Sequence, residues 1–211
     1  MSSARLIGFV ATAFVVIVIP GPSVLFVVGR ALAGGRRVAL FSVLGNAAGE
    51  YVQVIAIAFG IGALVEQSVA AFTTLKLLGG CYLLYLGVKT FRHRRELVHA
   101  LSPSGQTRSG RASFAEGFTV GVTNPKTVVF LAAILPQFVT RSSGNVPAQI
   151  LLLGLIFAVI AVASDSLWAL MAGALRSWFA RSPRRLELVG AAGGLGIGAV
   201  GVGFLVSGRS R

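Results

Sequence analysis

Three ionisable residues stand deep inside apolar runs of this sequence: Glu50, Lys126 and Asp165. An ionised side chain at the centre of a membrane-spanning helix costs about 2.5 to 3.5 kcal/mol on insertion scales, so three of them must be compensated or put to use. One ammonium and two carboxylates at similar depth suit two kinds of chemistry. The lysine can hold an anionic group, and a carboxylate left over can take up and release a proton. On the residues alone, pairing of Lys126 with one or both acids is expected, and a purely structural ion pair stays open beside the functional reading.

Two backbone interruptions accompany these charges. Pro-Gly-Pro at Pro20, Gly21 and Pro22 removes two backbone donors from the first apolar run, and Gly21 admits angles that a helix does not. Asn124-Pro125 interrupts the fourth run, because a residue before proline is pushed out of the helical region. Lys126 then falls in the first turn of a second half-helix. A half-helix that begins inside the bilayer presents unpaired N–H groups and the positive end of its dipole, which suits a carboxylate. Pro20, Gly21, Pro22, Ser23, Asn124, Pro125 and Lys126 are therefore candidate substrate-binding residues, and Glu50 and Asp165 are candidate proton-coupling residues. Glu66, Glu96, Glu116 and Glu187 fall near the ends of runs and read as interfacial.

The remaining reactive types exclude other chemistry. Cys81, the one cysteine, reads as a small core residue and can build neither a disulfide nor a thiolate cluster. His93 and His99 share one polar link with no acidic cluster, so no metal site, cofactor or catalytic triad is expected, and the chain does not read as an enzyme.

The elements that must position these residues follow from hydropathy. With 55% hydrophobic residues, 12% charged and a mean hydropathy of +0.84 over 211 residues, the chain reads as an all-α integral membrane protein crossing the bilayer several times. Six spans are expected, Leu6–Val28, Val38–Val65, Val69–Phe91, Phe114–Val139, Pro147–Leu175 and Leu186–Val206, with the first and fourth broken. A basic, Ser- and Gly-rich connector, 92–113, divides a first three-helix repeat, 1–91, from a second, 114–211. Three spans per half require the halves to be inverted, the plan of many secondary transporters. Arg5 and the apolar stretch after it read as a retained first span, since no small-x-small cleavage site follows.

The net charge of +13 does not imply nucleic acid, because the basic residues sit in short links without aromatic interleaving. Thirteen fall on the side of links one, three and five and five on the other, which places those links in the cytoplasm and both termini outside. In the last span Gly190, Gly194 and Gly198 form a small-residue face for close packing within the chain or in a homodimer.

"KLLGGCYLLYLGVKTFR" from Lys76 to Arg92 and "FAEGFTVGVTNPKTVVFLAAILPQFV" from Phe114 to Val139, together with Pro-Gly-Pro, resemble the lysine exporter superfamily in its LysE/RhtB branch. "ASDSLWAL" around Asp165 resembles the family's fifth span. The resemblance implies a bacterial inner-membrane exporter of amino acids or related small metabolites, driven by the proton gradient, with Pro20, Gly21, Pro22, Asn124, Pro125 and Lys126 at signature positions. Glu50 rests on the depth argument alone. The alternative from another class is a membrane scaffold or assembly factor whose intramembrane ion pair is structural.

Overall fold

The computed structural model describes residues 3–61, 69–92, 109–140, 144–175, 177–178 and 181–206. Among them lie seven α-helices: α1 Ser3–Val18, α2 Pro22–Ala56, α3 Val69–Arg92, α4 Gly110–Val122, α5 Pro125–Ala133, α6 Val146–Ala174 and α7 Pro183–Val206, with no strand. A π-helical turn, Ile57–Ile61, prolongs α2, and a 3-10 turn, Leu135–Phe138, follows α5. Most of the expected connector, with His93, Glu96 and His99, lies outside the described residues, as does Glu66.

Two helices are long and apolar enough to cross a membrane by themselves, Val146–Ala174 and Arg184–Gly203. The count rises to as many as four if α1 with α2, and α4 with α5, are each one bent span. The expected breaks in the first and fourth spans are present, with bends of 52° and 49°. The expected link between the first and second spans is not a loop. Helix α2 runs through it, interrupted only at Gly35, whose φ of 80° and ψ of −179° lie where glycine has no steric penalty. One residue thus does the work of a connecting segment. Side chains cap two later helices: Ser109 accepts from Ala112 N at the start of α4, and Asn145 from Ala148 N at the start of α6.

Lipid offers helices no hydrophobic reason to associate, so close backbone approach must supply the attraction. Gly45 and Gly49 on α2 face Gly117 and Gly121 on α4. A Cβ on any of the four would fall inside the van der Waals shell of a carbonyl oxygen across the seam, that of Phe114, Phe118, Ser42 or Asn46 respectively. Helices α3 and α7 meet in the same manner. A Cβ on Gly87 would stand 2.5 Å from Gly198 N, and one on Gly194 2.6 Å from Phe91 N. Two members of the glycine face noted in the last span are therefore engaged within the chain. Cys81 is exposed on α3, not in the core as its type suggested, because the buried face of that stretch is given to Gly79, Gly80, Leu83 and Leu86.

Two apolar clusters remain. One joins Val24, Val27, Val28, Ala31 and Leu32 of α2 to Ala39 and Val43 beyond Gly35 and to Ala169 and Ala172 of α6, at the arginine-rich end. The other gathers α1, α5, α6 and the far part of α2 around Phe9, Phe130 and Phe157, whose rings stack at 6.5 Å and 5.3 Å. Large apolar side chains such as Leu152, Val159 and Leu167 of α6 are exposed, as lipid-facing residues are.

Candidate functional site

Between the two clusters the helix breaks meet. Asn124 caps α5, its Oδ1 accepting from Lys126 N at 3.2 Å, and its Nδ2 donates to Ser23 Oγ at 2.6 Å in the first turn of α2. Interruptions about a hundred residues apart in the chain are thus joined by one hydrogen bond. Pro22 and Pro125 each occupy the first turn after a break, where a missing N–H costs nothing.

Each break leaves carbonyl oxygens unpaired, and each is served by a side chain from elsewhere. In the fourth span Pro125 lacks the N–H that Gly121 O would ordinarily take, and the Lys126 N–H that would serve Val122 O is diverted to Asn124. Gln53 Nε2 donates to both carbonyls at 2.8 Å. In the first span the Lys126 ammonium donates to Ile19 O at 2.6 Å.

Lys126 therefore does not pair with a carboxylate, contrary to the expectation from its charge. An ion pair joins Arg30 to Glu116, with the Arg30 guanidinium also over the Phe26 ring, and none joins Lys126 to Glu50 or Asp165. The reason is local. A Cβ on Gly21 would stand 2.9 Å from Lys126 Cδ, so the absent side chain at Gly21 is the space through which the lysine reaches the end of α1. The backbone of Gly21 is extended, with φ −112° and ψ −167°, and would admit any residue. Its glycine answers to the lysine and not to its angles. Glu116, expected at the interface, is only partly exposed through its pairing with Arg30.

The two acids terminate one polar network. Thr127 Oγ1 donates to Glu50 Oε1 at 2.9 Å, and Asn124 Nδ2 lies 3.3 Å from the same oxygen. In the other direction Ser23 Oγ donates to Asn46 Oδ1 at 3.0 Å, and Asn46 Nδ2 to Asp165 Oδ2 at 3.4 Å. All of these side chains are buried. Gly21, Ser23, Glu50, Asn124, Lys126 and Asp165 line one cavity with Val16, Ile17, Val24, Thr127, Phe157 and Ala161. Its volume of about 20 Å³ admits roughly a single water. Pro20 and Pro125 do not line it. Pro20 instead packs against Gly193 of α7, where a Cβ would collide with its carbonyl. Among the described residues no group of three His, Cys, Asp or Glu could hold a metal.

Asn46, Gln53 and Thr127 escaped the sequence reading. Neutral polar residues cost little in a membrane helix and find partners readily. The signal available was position, since Asn46, Glu50 and Gln53 recur at helical spacing on one face of α2.

Discontinuous helices meeting at a buried polar centre, inside an all-helical chain with apolar outer faces, are features of membrane transporters. The chain belongs to the LysE type translocator family, whose model matches residues 14–208; this is a family of transporters, not of enzymes. It is 30% identical over 176 residues to a homoserine/homoserine lactone efflux protein of Salmonella typhimurium, covering 83% of each chain. It is 27% identical over 199 residues to a leucine efflux protein of an Enterobacter species, covering 93% of this chain and 90% of that one. An uncharacterized membrane protein of Bacillus subtilis is 34% identical over 165 residues, 74% of this chain and 78% of its own. No solved structure matches.

Proposed function

We propose that this chain is a proton-coupled secondary exporter of amino acids or related small metabolites across the bacterial inner membrane, built as two inverted three-helix repeats. The observation that carries the reading is the meeting of two broken helices at one cavity with Lys126, Glu50 and Asp165 on its walls. The similar bends of 52° and 49° support the relation between halves, and the efflux activities named for two relatives support the substrate class.

In this reading the substrate carboxylate takes the Lys126 ammonium away from Ile19 O and sits at the start of α2, where Gly21 offers no side-chain cap to compete for the first N–H groups. Asp165, held on one oxygen by Asn46, faces the substrate amine. Glu50 carries the coupling proton on Oε2, the oxygen without a partner. A cavity of about 20 Å³ is too small for an amino acid, so the conformation is a closed one and the two apolar clusters are its barriers.

Proteoliposomes loaded with labelled amino acids, homoserine and leucine among them, test the reading. Saturable efflux of at least one, accelerated by an imposed pH gradient, is expected. Correctly inserted protein that moves none of the panel would overturn it.

A further inference from the structure

Among the described residues two buried side-chain atoms have no hydrogen-bond partner: Glu50 Oε2 and Gln53 Oε1. The residues are 4% and 7% exposed and three apart on α2, so they share one helix face a turn apart. Both atoms are acceptors, and two acceptors cannot satisfy one another. A single proton between them satisfies both. We infer that Gln53 is a positioning residue that receives the proton carried by Glu50 Oε2 and transmits its presence to the break in the fourth span; this rests on the proton-coupling role proposed for Glu50.

The transmission lies in the two ends of one amide. Gln53 Nε2 holds Gly121 O and Val122 O, and reaches Asn124 O at 3.5 Å, so it clamps the joint between α4 and α5. With the proton present, Oε2–H of Glu50 donates to Gln53 Oε1 and the clamp is fixed at both ends. When the proton passes to water, Gln53 Oε1 faces a carboxylate with no hydrogen between them. The amide turns its N–H groups to Glu50 and its oxygen to the carbonyls of Gly121 and Val122, which repel it, and the joint loosens. Only one O–H bond is broken, and the proton leaves as solvated proton.

The other groups around Glu50 do not take over this task. From α5, Thr127 and Asn124 bond to Oε1, and Lys126 is engaged with Ile19 O. From α6 comes Asp165, bonded to Asn46. The acid on α4, Glu116, is paired with Arg30, and the base on α1, Arg5, is bonded to Thr140.

The test is infrared difference spectroscopy of the reconstituted protein through a pH titration, joined to electron paramagnetic resonance of a nitroxide on Thr123→Cys, in a Cys81→Ser background. A protonated-carboxyl C=O band that vanishes in Glu50→Gln belongs to Glu50. In Gln53→Met that band is expected to move to higher frequency, and the rise in nitroxide mobility that accompanies its loss in the parent protein is expected to disappear. Gln53→Asn, whose amide is too short to reach both partners, should repeat both effects. An unmoved band, or a joint in the parent whose mobility ignores the titration, overturns the role of Gln53 while leaving the proton on Glu50. The absence of any band lost in Glu50→Gln removes the proton reading itself and the inference with it.

Discussion

Replacing Lys126 with methionine separates a substrate anchor from a structural cap. The substitution keeps an unbranched stem of similar length through the gap at Gly21 and removes the ammonium that donates to Ile19 O at 2.6 Å. The orphaned carbonyl costs about 1 to 3 kcal/mol. Removing a charge from mid-span returns about 2.5 to 3.5 kcal/mol on insertion scales. The two nearly cancel, so folded yield and thermal unfolding in detergent should change little or improve. Substrate affinity behaves differently, because a charge-assisted bond to the carboxylate contributes roughly 1.5 to 3 kcal/mol, or about ten- to a hundredfold in Kd. Equilibrium binding of a labelled substrate to purified protein measures this directly. Gly21→Ala, whose Cβ would crowd Lys126 Cδ, should give a weaker form of the same loss. Affinity within about twofold of the parent, together with a clear fall in unfolding temperature, would refute the argument and leave Lys126 as a cap for α1.

Gly117→Val places branched carbon against Ser42 O, and overpacking of a rigid seam costs about 1 to 3 kcal/mol or more, so monodisperse yield in size-exclusion chromatography should fall sharply while Gly203→Val, in open space, leaves it unchanged. Glu116→Arg alone should impair export, and the exchange of both charges with Arg30→Glu should restore a substantial part of it; a double variant no better than the single one counts against the pair as a working contact. Reporter fusions at Arg211 and within 102–109 should signal opposite compartments, and two cytoplasmic signals would reject the orientation read from the basic residues.

The helix breaks were legible because proline removes a donor whatever surrounds it: Pro-Gly-Pro and Asn124-Pro125 interrupt their helices in any fold. Glu50, Lys126 and Asp165 stood out because charge at mid-span is costly. The partner of Lys126 was not legible, since counting charges points to acids and overlooks the carbonyl that Pro-Gly-Pro itself sets loose at Ile19. Gln53 was hidden for the same reason, because the oxygens it serves come into being only when Pro125 and Asn124 withdraw their usual donors. Among many glycines, Gly45 with Gly49 and Gly117 with Gly121 have the same four-residue spacing as Gly190, Gly194 and Gly198. Spacing marks a face suited to close packing, and which helix lies against it depends on the tertiary arrangement. Gly35 hid in a basic stretch that reads as a loop, although the helix resumes directly after it.

Asn124 has two amide hydrogens and three oxygens within reach, Ser23 Oγ at 2.6 Å, Thr127 Oγ1 at 2.9 Å and Glu50 Oε1 at 3.3 Å. One acceptor is always waiting its turn. A solute that claims Ser23 therefore frees a hydrogen which passes to Glu50 or Thr127 without any donor being stranded in the hydrocarbon. The centre can trade partners in small steps of similar energy, as a sliding puzzle moves because one square is empty, and that slack lets a dry, tightly packed junction admit and release a polar guest thousands of times without unfolding around it.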